Sequence, residues 1–332
     1  MSQRTLLALL ATLAVLAALA IAVSLSERQV ESGTGSLLLP DLKAGLNDIE
    51  RIVVRTGGEK VVATLVRARD GWTVTEQQDY AADIGRIRKL LLALAEAKIL
   101  EEKTSNAELY DRLKVEDIAL ATAGGVEVEL AKGSSSTKVI IGRVQGAGER
   151  YYVRRSGEKQ SWLVKGNLDA AREASGWVDK TITDVATERI QAVRIDFPDG
   201  SATQLVRPAD GSVGLNLAEL PKGRELAWPG VANAIGGALA DLSFDAVEPA
   251  AKFDPDSAKP ITARFETNDG LVIVAETWKL ASGERTRFRA SGDEKAAAEA
   301  ERINTRVGAW VYALPDYKLD HFTKRPDDLL AP

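Results

Sequence analysis

From Thr5 to Leu25 the chain carries no charge, no Gly and no Pro. At about 1.5 Å per residue that run is about 30 Å long as a helix, the thickness of a bilayer core. Arg4 precedes it and the balanced pair Glu27-Arg28 follows. This asymmetry predicts a cytoplasmic N-terminus and a translocated body. Ala18-Leu19-Ala20 offers a small-x-small cleavage site for the competing reading, a signal peptide. However, the apolar run continues through Ile21, Val23 and Leu25, longer than a signal core needs. The expected organisation is an anchor over 1–27 and a tether over 28–40, the latter holding the polar stretch Gln29–Ser36.

Beyond the tether the pattern changes to short alternations and two helical periods, and it recurs after about 140 residues. The alternation after Asp48 has a counterpart after Thr187. Leu65-Val66-Arg67 before Asp70-Gly71 matches Leu205-Val206-Arg207 before Asp210-Gly211. Asp-Gly favours a hairpin turn, because Gly tolerates positive φ. A helix is predicted over Ile84–Ala97, with Ile87, Leu90, Leu91, Leu94 and Ala95 on one side and Asp83 or a neighbour as its cap. Its counterpart is predicted over Val231–Leu242, with Pro229 near its start. Strands follow each helix at Lys98–Leu100 and Ser243–Val247. Hairpins then close each half: Val126–Leu130 with Lys138–Gly142 and Tyr151–Arg154 with Ser161–Val164, against Ile261–Glu266 with Leu271–Ala275 and Thr277–Leu280 with Thr286–Arg289. A further helix is expected over Glu294–Val307. The fold class read from this is α+β: an N-terminal transmembrane helix, then two tandem duplicated α+β units, 41–182 and 183–332, built from antiparallel hairpins packed with helices on one face.

Composition narrows the chemistry. The 332 residues are 45 % hydrophobic and 27 % charged, with a net charge of −5. Lys and Arg are scattered among acids, so no nucleic-acid partner is expected. There is no Cys, which removes thiolate nucleophiles and thiolate metal sites, and the single His321 removes multi-histidine sites. Ile141–Gly148 is Gly-rich but runs into the strand-like Tyr151-Tyr152-Val153, whereas a phosphate loop opens a helix. Asp254, Asp256, Asp316, Asp320, Asp327 and Asp328 lie near prolines without the spacing of a calcium loop. No cofactor and no catalytic or metal-binding residue is assigned. Of the six tryptophans, Trp228, beside Pro229-Gly230, is the candidate for an exposed contact, and Trp228 with Pro229 forms the candidate interaction site.

The ordered series Leu39-Pro40-Asp41-Leu42, Asp70-Gly71-Trp72-Thr73-Val74, Tyr80-Ala81-Ala82-Asp83, Tyr110-Asp111-Arg112-Leu113, Tyr152-Val153-Arg154 and Trp177-Val178-Asp179-Lys180 resembles the bacterial family known as domain of unknown function 4340. The resemblance implies membrane attachment and association with auxiliary proteins of ABC-type export systems, including gliding-motility-like ones. It implies no catalytic residue.

The expectation is therefore a non-catalytic accessory or interaction protein of the bacterial envelope. It would be single-pass in the inner membrane through Thr5–Leu25, with its soluble region in the periplasm and membrane-protein partners of an ABC-type export system. Two alternatives stand beside it: a ligand-binding module with a cleft between the repeats, and a carboxylate-dependent hydrolase. Protease added to spheroplasts is expected to degrade the body, while high salt leaves the protein with the membranes. A body protected in intact spheroplasts contradicts the orientation.

Overall fold

A computed structural model describes residues 35–331, apart from 70, 209–213, 229, 256 and 257. The Thr5–Leu25 run lies outside the described residues. Among the described residues no helix is long and apolar enough to cross a membrane. The chain divides into two units, Met1–Val178 and Asp179–Pro332. Both are mixed α/β, dominated by antiparallel sheets with a few helices.

In the first unit the chain makes a helical turn, α1 (Leu42–Gly45), then β1 (Arg51–Thr56), β2 (Lys60–Ala68), β3 (Gly71–Val74) and β4 (Tyr80–Ala81). Helix α2 (Ile84–Glu96) follows, then β5 (Lys98–Glu102), the short α3 (Tyr110–Leu113), β6 (Val126–Lys132), β7 (Ser135–Gln145), β8 (Arg150–Arg155) and β9 (Ser161–Lys165). The sheet order is β4-β3-β2-β1-β6-β7-β8-β9-β5. Asp83 Oδ1 accepts the Arg86 N–H at 2.9 Å and so caps α2, satisfying a donor that the first turn would leave open. Ile87, Leu90, Leu91, Leu94 and Ala95 are the buried side of α2, as its periodicity predicts. Burying each Leu or Ile contributes about 1.5–3 kcal/mol before entropy is counted.

One expectation fails here. Alternation along Val126–Leu130 predicts a strand with one wet face, yet β6 is buried from Val126 to Ala131. A strand buried at every position has both faces covered. The second face carries the Tyr110–Gly125 stretch: Tyr110 and Val115 pack with Ile140, Tyr152 and Leu163. Arg154, 2 % exposed, donates to the Val115 and Glu158 carbonyls, pairs with Asp117 and lies over the Tyr110 ring. Gly142 permits the crossing, since a Cβ there would sit 2.3 Å from the Leu113 carbonyl oxygen.

The second unit contains β10 (Thr181–Thr183), β11 (Ile190–Asp196), β12 (Ala202–Val206), β13 (Asn216–Leu217), α4 (Val231–Gly236), β14 (Leu242–Ser243) and β15 (Ala246–Pro249). Then come β16 (Ile261–Thr267), β17 (Leu271–Leu280), β18 (Gly283–Gly292), α5 (Ala297–Val307), β19 (Trp310–Ala313) and α6 (Asp316–Thr323). Strands β10 and β14 pair alone, and the large sheet runs β13-β12-β11-β16-β17-β18-β19-β15. Replacing β11–β13 by β1–β3, β15 by β5 and β16–β19 by β6–β9 turns this order into that of the first unit, save for its edge strand β4. In both units a strand that follows the helix closes the far edge, β5 on β9 and, after β14, β15 on β19.

Two local differences from the sequence pattern stand out. The helix predicted over Val231–Leu242 stops at Gly236, and Gly237–Leu239 is a 3-10 turn. The Gly236-Gly237 pair weakens helix, and Gly236 is needed small because a Cβ would lie 2.6 Å from Leu215. The single strand expected over Ser243–Val247 is two strands in different sheets, separated by buried Phe244 against Tyr312. The Asp70-Gly71 and Asp210-Gly211 turns fall partly outside the described residues.

Alternation is clean in β16, where Ile261, Ala263, Phe265 and Thr267 are buried and Arg264 is exposed. Phe322 of α6 meets Phe265 and Phe288 edge-on at 5.5 and 5.7 Å. β18 pairs with β19 at Thr286 and Tyr312 only. Beyond that point Asn304 of α5 bonds both the N–H and the carbonyl of Ala290, at 2.8 and 2.7 Å. The helix thus satisfies a backbone edge that would otherwise be open. Phe322→Ala is expected to destabilise the second unit by about 3–5 kcal/mol, read as loss of amide protection in β16–β18 under urea. A loss below about 1 kcal/mol contradicts the packing described.

Candidate functional site

The carboxylates most deeply placed are Glu127 and Glu129, on the second face of β6. Arg55, across on β1, reaches both, at 3.3 and 2.6 Å. Ser156 Oγ donates to Glu127 at 2.6 Å, and Lys138 lies 3.7 Å from Glu129. Burial pushes the Glu129 carboxyl up, but the Arg55 hydrogen bond and charge, with Lys138 and Arg51, leave it below its ordinary value. A general acid needs the opposite shift. Sequence reading passed over this cluster because acids two apart on a strand look like a solvated face. The cationic Arg55 on the neighbouring strand was the available signal.

In the second unit Arg189 joins Asp269 and Glu299, both at 2.8 Å. The Glu299 hydrogen bond, with Asp269, raises Arg189 above its ordinary value despite burial. Glu299 is lowered first by Arg189, and Asp269 first by the Thr267 hydroxyl and then by Arg189. Asp199 accepts the Ser201 hydroxyl and N–H and pairs with Arg325, which together bring it down to about 2. His321 is half-buried, and burial, then Lys318, lowers it. Of the loop acids, Asp328 accepts the Arg325 N–H, Asp316 opens α6 and Asp256 lies outside the described residues. Among the described residues no group of three His, Asp or Glu side chains could hold a metal ion.

Trp228 is 50 % exposed, whereas Trp72, Trp162, Trp177 and Trp278 are buried and Trp310 is half-buried. Its loop is braced by the C-terminal segment. Ala227 N–H donates to the Leu329 carbonyl at 2.8 Å, Ala331 N–H to that of Glu225 at 2.8 Å, and Arg224 to that of Ala331 at 2.7 Å. Leu226 bridges Leu330. Leu220, 48 % exposed, belongs to the same loop. The backbone therefore holds an apolar side chain outward, an arrangement suited to contact. Pro229, the other half of the expected pair, lies outside the described residues.

Grooves among the described residues are lined by polar as well as apolar side chains. One of about 570 Å³ runs between Leu38–Leu42 and the β6–β7 hairpin, beside Arg155, which donates twice to the Leu38 carbonyl. Another of about 570 Å³ lies at the end of α2. A third, about 360 Å³, is in the second unit beside Phe197, Asp199 and Arg325.

The fold and these features describe a body of two mixed α/β units, each built on a large antiparallel sheet. The chain belongs to the family described as Domain of unknown function (DUF4340), whose model matches residues 72–264. That match begins in β3 of the first unit and ends in β16 of the second. No curated protein and no solved structure matches the chain.

The carboxylates of the Arg189 and Asp199 clusters sit below their ordinary values when folded. Their contribution is present above the ordinary carboxylate range and is lost as pH falls through it towards about 2. Urea midpoints are expected to fall between about pH 5 and about pH 2, and Arg189→Ala is expected to flatten that decline. An unchanged pH profile in the variant contradicts the assignment.

Proposed function

We propose that the protein is a membrane-anchored, non-catalytic accessory or interaction protein of the bacterial envelope. Thr5–Leu25 anchors it in the inner membrane, and the two-unit body faces the periplasm. Membrane partners belonging to an ABC-type export system are what the family resemblance adds. The shared strand order supports reading the two units as duplicated copies of one ancestral unit.

The observation that carries the reading is the half-exposed Trp228 on a loop braced by Leu329–Ala331. Exposing half an indole forfeits hydrophobic stabilisation, and bracing its backbone lowers the entropy lost when a partner covers it. The electrostatics support it from the other side. Glu127, Glu129, Asp199, Asp269 and Glu299 are engaged by arginines, and where their values move they move down. Such groups serve as structural ion pairs more readily than as proton donors. Anchoring also raises the body's local concentration near membrane partners, so modest affinity suffices.

The test is affinity purification of the full chain from detergent-solubilised native membranes. Wild type and Glu127→Gln are expected to retain the same membrane partners, while Trp228→Ala loses about tenfold or more of them. A chain that purifies alone, or a Glu127→Gln variant that folds and keeps its partners but loses function, overturns the reading in favour of the hydrolase.

A further inference from the structure

The far edge of the first sheet carries a row of like charges. Lys98 on β5 stands opposite Lys165 on β9, and Lys165 stands opposite Arg150 on β8. All three are exposed, and among the described residues none has a carboxylate within ion-pair distance. Like charges directly opposite across a sheet destabilise it. By contrast, Arg55, Arg189, Arg194, Arg264, Arg287 and Arg325 each have an acidic partner. Of the nearby carboxylates, Glu96 and Glu101 are paired with Lys43 and Lys103, Glu102 is exposed at the other end of β5, and Glu149 is exposed beside Arg150. Lys98 and Lys165, with the Lys43–Glu96 pair and Asn167, line the groove of about 570 Å³ at the end of α2.

The position of this edge supplies the missing counter-charge. Leu37, where the chain enters the first unit, bridges Lys98 and lines the same groove. About a dozen residues separate it from Leu25, a reach of at most about 40 Å. We propose that the Lys98–Lys165–Arg150 edge, with Lys43 beside it, rests on the anionic phospholipid surface of the membrane that holds Thr5–Leu25. This rests on the anchored reading above. Basic residues close to an anchor are drawn to anionic headgroups, and the attraction fades within a Debye length. The contact would hold the first unit by its β5 edge.

The experiment reconstitutes the purified full chain in lipid nanodiscs and measures acetylation of each lysine by a water-soluble reagent. In discs with about 30 % anionic phospholipid, Lys43, Lys98 and Lys165 are expected to react about threefold or more slowly than in zwitterionic discs. Lys279 of the second unit should react equally in both. About 0.5 M salt should remove the difference. A chain with Lys98→Glu and Lys165→Glu should show no lipid dependence at Lys43. Equal lysine reactivity in the two kinds of disc overturns the inference while the anchored reading stands. Failure of the chain to enter discs overturns both. The same protection from inorganic phosphate in zwitterionic discs overturns the lipid assignment in favour of a soluble anion.

Discussion

The architecture depends on one long-range pairing made in each unit: a strand that follows the helix lies beside the last strand of the sheet. Lys98–Glu102 must find Ser161–Lys165, and Ala246–Pro249 must find Trp310–Ala313. The intervening hairpins are local and form by short loop closures. These edge pairings are not local; β5 follows α2 directly, whereas the Gly237–Leu239 turn and β14 lie between α4 and β15. Without the pairing, the last strand would present an open edge. The repeated device is the reason the two strand orders coincide although the helices differ in length and only the second unit has α5.

The two units solve the same sheet differently on its second face. In the first, the Tyr110–Gly125 stretch covers it, so Glu127, Glu129 and Arg154 are buried and must be paired. In the second, that face is open in its middle, with Trp278 buried against Phe253 at one end, and Arg194, Arg264 and Arg289 stand in cross-strand register with Val274 between the last two. Here exposed ion pairs to Asp196, Glu266 and Glu276 suffice, each contributing little to stability. Breaking the buried pairs of the first unit by removing one partner would cost more, about 3–5 kcal/mol.

Much of this was legible in the sequence. The period of α2, its Asp83 cap and the clean alternation of β16 reflect local rules, and the structure follows them. The recurrence of pattern pointed to two similar halves. What was not legible depends on tertiary context. The covering of β6 by a stretch without periodicity buried two glutamates that looked solvated. The Gly236-Gly237 pair shortened a helix whose apolar spacing continued beyond it. The strand at Ser243–Val247 split because Phe244 turned into the core. Trp228 was singled out by its Pro-Gly neighbours, but the bracing by Leu329–Ala331 is a contact over a hundred residues apart, which no local pattern announces.

The central claim is that the body works by contact with a membrane partner. It is tested most directly by placing a photoreactive amino acid at position 228 of the full chain in cells and identifying what it captures. The account predicts a crosslink to an integral membrane protein from position 228 and none from position 120, since Leu120 is as exposed but lies in the first unit. No crosslink from position 228, or equal capture from both positions, would contradict it.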